Sequence, residues 1–138
     1  MSRRPLKIAA LVLALGPAPA VAQPSPPARS VWDSAYTAAQ ATNGETAFRY
    51  SCANCHAMTQ FSGPSFLGAW EGGNAFELFQ LISEQMPFDN PGSLPREQYL
   101  EVLAYLFKLN GFPAGSRPLP GEPQELKRIR IHAKAEAK

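Results

Sequence analysis

Tyr99, Leu100, Val102, Leu103, Leu106 and Phe107 recur at intervals of three and four and form one broad apolar face, which predicts a helix from Pro95 to Leu109. Proline is tolerated in a first turn, where its missing N–H would have no partner anyway, and Asn110-Gly111 supplies a left-handed stop. A second apolar series, Phe76, Leu78, Phe79, Leu81 and Ile82, follows Asn74. Glu77 stands three residues after Asn74 as in a capping box, so a helix is expected from about Ala75 to Gln85. It delivers Met86-Pro87, and Phe88 to Ser93 are turn formers that cannot continue it. A further helix is expected from Tyr36 to Ser51, where Ala38, Ala39, Ala41, Glu45 and Ala47 favour helix and Phe48 is tolerated. Gly44 interrupts it at a cost of roughly 1 kcal/mol relative to alanine, which close approach of another helix would explain. Phe48 lies one turn later on the same face, and the Pro95–Leu109 helix is the expected partner. Few runs look like strands and no repeat is present, so the fold class is all-α with three main helices.

The ends read differently. Arg3, Arg4 and Lys7 precede the apolar run Ile8 to Leu15, and Ala20-Val21-Ala22 has the small-x-small form of a cleavage site. Residues 1–22 are therefore expected to be a cleaved signal peptide, placing the mature protein in the periplasm with no membrane span. About 116 residues remain, enough for one domain with a modest core. Within them, 23–35 reads as a Pro-rich N-terminal extension, 36–113 as the domain, and 114–138 as a basic C-terminal tail. From Gln23 to Pro113 eight carboxylates outnumber four basic side chains, whereas the tail carries six basic side chains against three carboxylates. Basicity confined to a signal and a tail argues against nucleic-acid binding. Leu126, Ile129 and Ile131 leave open whether the tail stays free or folds back onto the body.

Cys52-Ala-Asn-Cys55-His56 carries the most specific chemistry. Two thiols and an imidazole at that spacing are what covalent attachment of a c-type haem requires, with His56 placed directly beneath the iron. A thioredoxin-type redox pair would sit beside strand-helix-strand patterning, and none is visible. A zinc site would need further ligands, and the one remaining histidine, His132, lies in the charged tail, where it reads as solvated.

A six-coordinate electron carrier needs a ligand on the opposite face, and a thioether is the usual partner for histidine. Met58 lies two residues past His56, too near to travel round a porphyrin, and reads as exposed or gap-filling. Met86 has the chain length to do so and is the expected ligand; the alternative is a core methionine closing a five-coordinate pocket. The stretch Gly63 to Leu67 is expected to run as a loop along the proximal face, with the Pro64 carbonyl accepting from the free ring nitrogen of His56. Trp70 either donates its indole hydrogen to a haem propionate or serves as a core aromatic.

Gly44 and Phe48, the Cys52–His56 motif, Gly63-Pro64, Trp70, Met86-Pro87 and a last helix bearing Tyr105 together resemble a class I c-type cytochrome, over roughly Tyr36 to Phe112. Val31-Trp32-Asp33, Asn90 to Leu94 and Asn110 to Gly115 are similar to phrases of small cytochromes associated with periplasmic quinoprotein dehydrogenases. The resemblance implies a small cytochrome c fold with loops wrapped around one covalent haem c. It implies an electron carrier and not an enzyme, with such a dehydrogenase as donor and an oxidase or another cytochrome as acceptor. Phe88 departs from relatives that often carry a small residue or proline near the methionine. A haem enzyme or a gas sensor with a displaceable distal ligand is the alternative from another class.

Overall fold

A computed structural model describes residues 27–134; the signal peptide expected at 1–22, the rest of the Pro-rich lead-in and the last four residues lie outside them. About half of the described chain is helical: α1 Ala38–Ser51, α2 Gly63–Trp70, α3 Ala75–Gln85, α4 Arg96–Leu109 and the short α5 Pro123–Lys127. Four two-residue strands, β1 Arg29–Ser30, β2 Tyr36–Thr37, β3 Ala114–Gly115 and β4 Ile129–Arg130, make two parallel pairs. The coarse all-α reading holds, and none of the described helices is long and apolar enough to cross a membrane.

The main packing event is the crossing of α1 on α4. A Cβ at Gly44 would sit 1.8 Å from the carbonyl oxygen of Glu101 and 2.9 Å from the nitrogen of Val102, so the two backbones touch there and only glycine fits. Phe48 follows one turn on, 2% exposed, with its ring 5.5 Å from Tyr105 and 5.7 Å from Phe61. Around the crossing, Glu45 pairs with Lys108 at 3.2 Å and Arg49 at 2.7 Å, and Asn43 donates to Glu101. Those surface pairs add little beside the buried seam.

Helix ends follow their side chains. Asn74 accepts from the backbone N–H groups of Phe76 and Glu77, and Glu77 accepts from that of Asn74, which completes the expected capping box at α3. Thr37 and Gln40 make the same reciprocal pair at α1. Gly111, at φ 72°, ends α4 in the left-handed conformation that costs glycine nothing. Asn110 beside it accepts from the Gly63 N–H and donates to the carbonyls of Phe61 and Leu106, locking the start of α2 to the end of α4.

One expectation needs correction, and one open alternative is decided. Gly63 to Leu67 is not a loop but the first part of α2, with Pro64 in the first turn where its ring is preorganised for helix. Of the two alternatives open for the segment after residue 113, its described part folds back onto the body. Leu119, Leu126, Ile129 and Ile131 are all buried in the same core as α1, α3 and α4, and so are Val31 and Ala35 from the expected extension. Burial of each large aliphatic side chain stabilises the fold by about 2 kcal/mol. The charges stay at the surface and are partly used there: Lys127 lies over the Phe76 ring, Lys134 over Trp32, and Arg128 pairs with Glu125. The folded unit thus extends beyond 36–113 at both ends.

His132 is likewise part of the structure, contrary to the solvated reading. Its Nε2 lies 2.8 Å from Ser30 Oγ and its carbonyl accepts from the Trp32 indole, so it joins the two chain ends beside β1 and β4.

Gly44→Ala is expected to destabilise the protein by about 3 kcal/mol, the upper end of ordinary overpacking, because the new methyl meets backbone that can move only by separating two helices; urea denaturation of variant and wild type measures it. Ending the chain at Gly115 removes Leu119, Leu126, Ile129 and Ile131 and is expected to abolish cooperative thermal unfolding, since their loss takes up most of a typical margin of about 5–15 kcal/mol. A truncated chain that melts as sharply as the full one would show the terminal segment to be dispensable.

Candidate functional site

The C-terminal end of α1 runs directly into the Cys52–His56 motif. The N–H of Cys52 still bonds to the Phe48 carbonyl, and the N–H groups of Cys55 and His56 both reach the Cys52 carbonyl. A tight turn therefore presents residues 52, 55 and 56 together at the end of a rigid helix. Both thiols are free; Cys52 is half-buried, and burial holds its thiol above the usual range and so protonated, while Cys55 is exposed.

These residues border a cavity of about 530 Å³. That is within the roughly 300–1,000 Å³ typical of small-molecule and cofactor sites. Phe48 and Phe61 form its wall near the motif, Leu81 and Ile82 of α3 another, and Tyr99, Val102 and Leu106 of α4 its back. Met86, at the C-cap of α3, borders the same space with Pro87 to Asn90 and Leu94. Three of the site residues expected from sequence, Cys52, Cys55 and His56, thus share one void with a fourth, Met86. Among the described residues no group of three or more His, Cys, Asp and Glu side chains converges as a chelating cluster. The motif borders a space and does not close on a point.

Pro64 and Trp70 do not line this cavity. Pro64 is exposed on α2. The Nδ1 of His56 lies 3.3 Å from the carboxamide Oε1 of Gln60, in the 3-10 turn Met58–Phe61. Trp70 is partly buried against the core, and its indole N–H meets no acceptor among the described residues. Met58 stands 48% exposed, and its sulfur accepts from the Tyr105 hydroxyl at 2.9 Å. Burial first, and then the charge of Glu45, keep that phenol above its ordinary range, so it remains a donor. Met58 does not line the cavity.

Sequence reasoning missed the parts played by Tyr99, Gln60 and Tyr50. Tyr99 reads from the sequence only as part of an apolar stripe, yet its hydroxyl donates to the Met86 carbonyl at 2.7 Å. Gln60 sits one turn after His56, a spacing that allows the pairing but is shared by many exposed glutamines. Tyr50 and Phe88, 80% and 87% exposed, both line the cavity, as does Leu81. Among the described residues, three of the four large apolar side chains left in solvent therefore border this opening, and Asp89 is in the same lining. Exposed apolar groups gathered in one place mark an interaction surface.

No family model, no curated protein and no solved structure matches the chain.

Proposed function

We propose that this chain is a mono-haem c-type cytochrome with a small cytochrome c fold, an exported periplasmic electron carrier and not an enzyme. The observation that carries the reading is the apolar cavity bordered at one place by Cys52, Cys55 and His56 and at another by Met86. The residues fit the group. Two free thiols on one turn would suit two thioether links, an imidazole and a thioether bordering the same space would suit iron ligation, and the Phe, Leu, Ile and Val lining would suit an apolar ring.

When bound, the haem supplies a one-electron ferrous–ferric couple. Cys52 and Cys55 would fix its edge to the end of α1, and His56 and Met86 would hold the iron. Gln60 would keep the proton on Nδ1 of His56, leaving Nε2 as the donor atom. The apolar lining excludes water and disfavours extra positive charge, and a thioether ligand favours the ferrous state, so both raise the potential. Tyr50, Leu81 and Phe88 at the opening would form the small apolar patch through which a transient partner docks.

The donor in this reading is a periplasmic quinoprotein dehydrogenase and the acceptor is an oxidase or another cytochrome, on the resemblance of the Val31–Asp33, Asn90–Leu94 and Asn110–Gly115 phrases.

The ligand assignment is tested by Met86→Ala, which is expected to lose the sulfur-to-iron band of the ferric protein, bind cyanide or carbon monoxide readily and show a lower potential. Met58→Ala is expected to leave all three unchanged; loss of the band in that variant instead would reverse the assignment. For the partner, stopped-flow reduction by a quinoprotein dehydrogenase is expected to be fast and to slow with added salt, because screening shortens steering to about 8 Å at physiological ionic strength. Fast reduction by another class of donor only would remove the dehydrogenase and leave the cytochrome.

A further inference from the structure

Met86 opens a loop that has little else to hold it. Phe88 to Ser93 are all exposed, and the loop's own hydrogen bonds are short-range: Asn90 N–H to the Pro87 carbonyl, Gly92 N–H to the Met86 carbonyl at 3.2 Å, and Ser93 N–H to the Asn90 carbonyl at 3.3 Å. Its start is tied to α3 by the Met86 N–H bonding to the Ile82 carbonyl. Segments of this kind, exposed and bonded mainly to themselves, open locally at small cost.

One side chain crosses the gap. Tyr99, 4% exposed in the first turn of α4, donates its hydroxyl to the Met86 carbonyl at 2.7 Å and accepts from the Leu94 N–H at 3.3 Å. A single oxygen thus ties both ends of the Met86–Leu94 loop to the helix that packs on α1, and the Tyr99 ring forms part of the cavity wall. A thioether is a neutral, weak ligand, so its occupancy of a metal depends on how closely the chain holds it in place before binding.

We infer that Tyr99 is a positioning residue for Met86: its hydroxyl closes the loop so that the thioether is presented to the cavity. The inference rests on the haem reading above. The Tyr99 hydroxyl bonds to the Met86 carbonyl and the Leu94 N–H, so it acts on the thioether through the backbone.

Tyr99→Phe keeps the ring, and so the cavity wall, while removing both hydrogen bonds. Tyr105→Phe is the matched control, since it deletes the same group from the same helix but releases only Met58. Both are made in the full-length haem protein and read by the sulfur-to-iron band of the ferric form, by imidazole affinity, and by amide hydrogen exchange at Gly92 and Leu94. Tyr99→Phe is expected to retain covalent haem, weaken the band, bind imidazole about tenfold more tightly and speed exchange at both amides, an ordinary hydrogen bond contributing about fivefold net and two being lost. Tyr105→Phe is expected to stay within about twofold of wild type on every readout, against the roughly tenfold expected of Tyr99→Phe. Tyr99→Phe within that same range overturns the inference, as do equal shifts in the two variants, which would mark a general loosening of α4. Were every preparation to lack covalent haem, the functional reading would fall, and exchange at Gly92 and Leu94 would still decide whether Tyr99 closes the loop.

Discussion

The contact of the Gly44 backbone with that of Glu101 is the constraint on which the rest of the molecule depends. Helix axes can approach so closely only where one side chain is absent, and that approach sets both the rotation and the translation of α1 on α4. The rotation turns Phe48 inward against Tyr105 and Phe61. The translation brings the C-terminal turn of α1, and the Cys52–His56 motif beyond it, alongside the middle of α4, where Val102 and Leu106 form the cavity's back. A displacement of the crossing by one turn would move the motif about 5.4 Å along α4 and separate it from that wall.

Around this crossing the chain ends act as a girdle. Two parallel strand pairs join 29–30 to 129–130 and 36–37 to 114–115, and Gln40 fastens the strap by accepting from the Leu119 N–H at 2.7 Å and donating to its carbonyl. None of residues 114–134 lines the cavity. Stabilisation by the strap and access to the site are thereby separated: the ends bury Leu126, Ile129 and Ile131, while the opening keeps Tyr50, Leu81 and Phe88 in solvent.

Much of this was legible where a residue's cost demanded a structural reason. A glycine within a helical pattern pointed to a close crossing, and Asn74 with Glu77 pointed to a helix start; both are met residue for residue. The gathering of Cys52, Cys55, His56 and Met86 about one cavity was legible because the motif's spacing and Met86's distance along the chain limited where each could lie. The strap was not, because the pattern of Leu126, Ile129 and Ile131 is diluted among charges and prolines, and two-residue strands have no period to read. The 63–67 stretch misled through its Gly-Pro start, which is as compatible with a first helical turn as with a loop. The hydroxyl of Tyr99 was invisible for a different reason: an apolar stripe accounts for the ring and gives no information about what its oxygen meets.

The central claim is that this cavity is built for a group carried on two cysteines. The most direct test is the mass of the denatured full-length protein recovered from a host with an active c-type haem maturation system. The account predicts one haem in excess of the polypeptide, retained through denaturation and traced by peptide mapping to Cys52 and Cys55. A mass equal to the bare polypeptide, with both thiols free to alkylation, would contradict it.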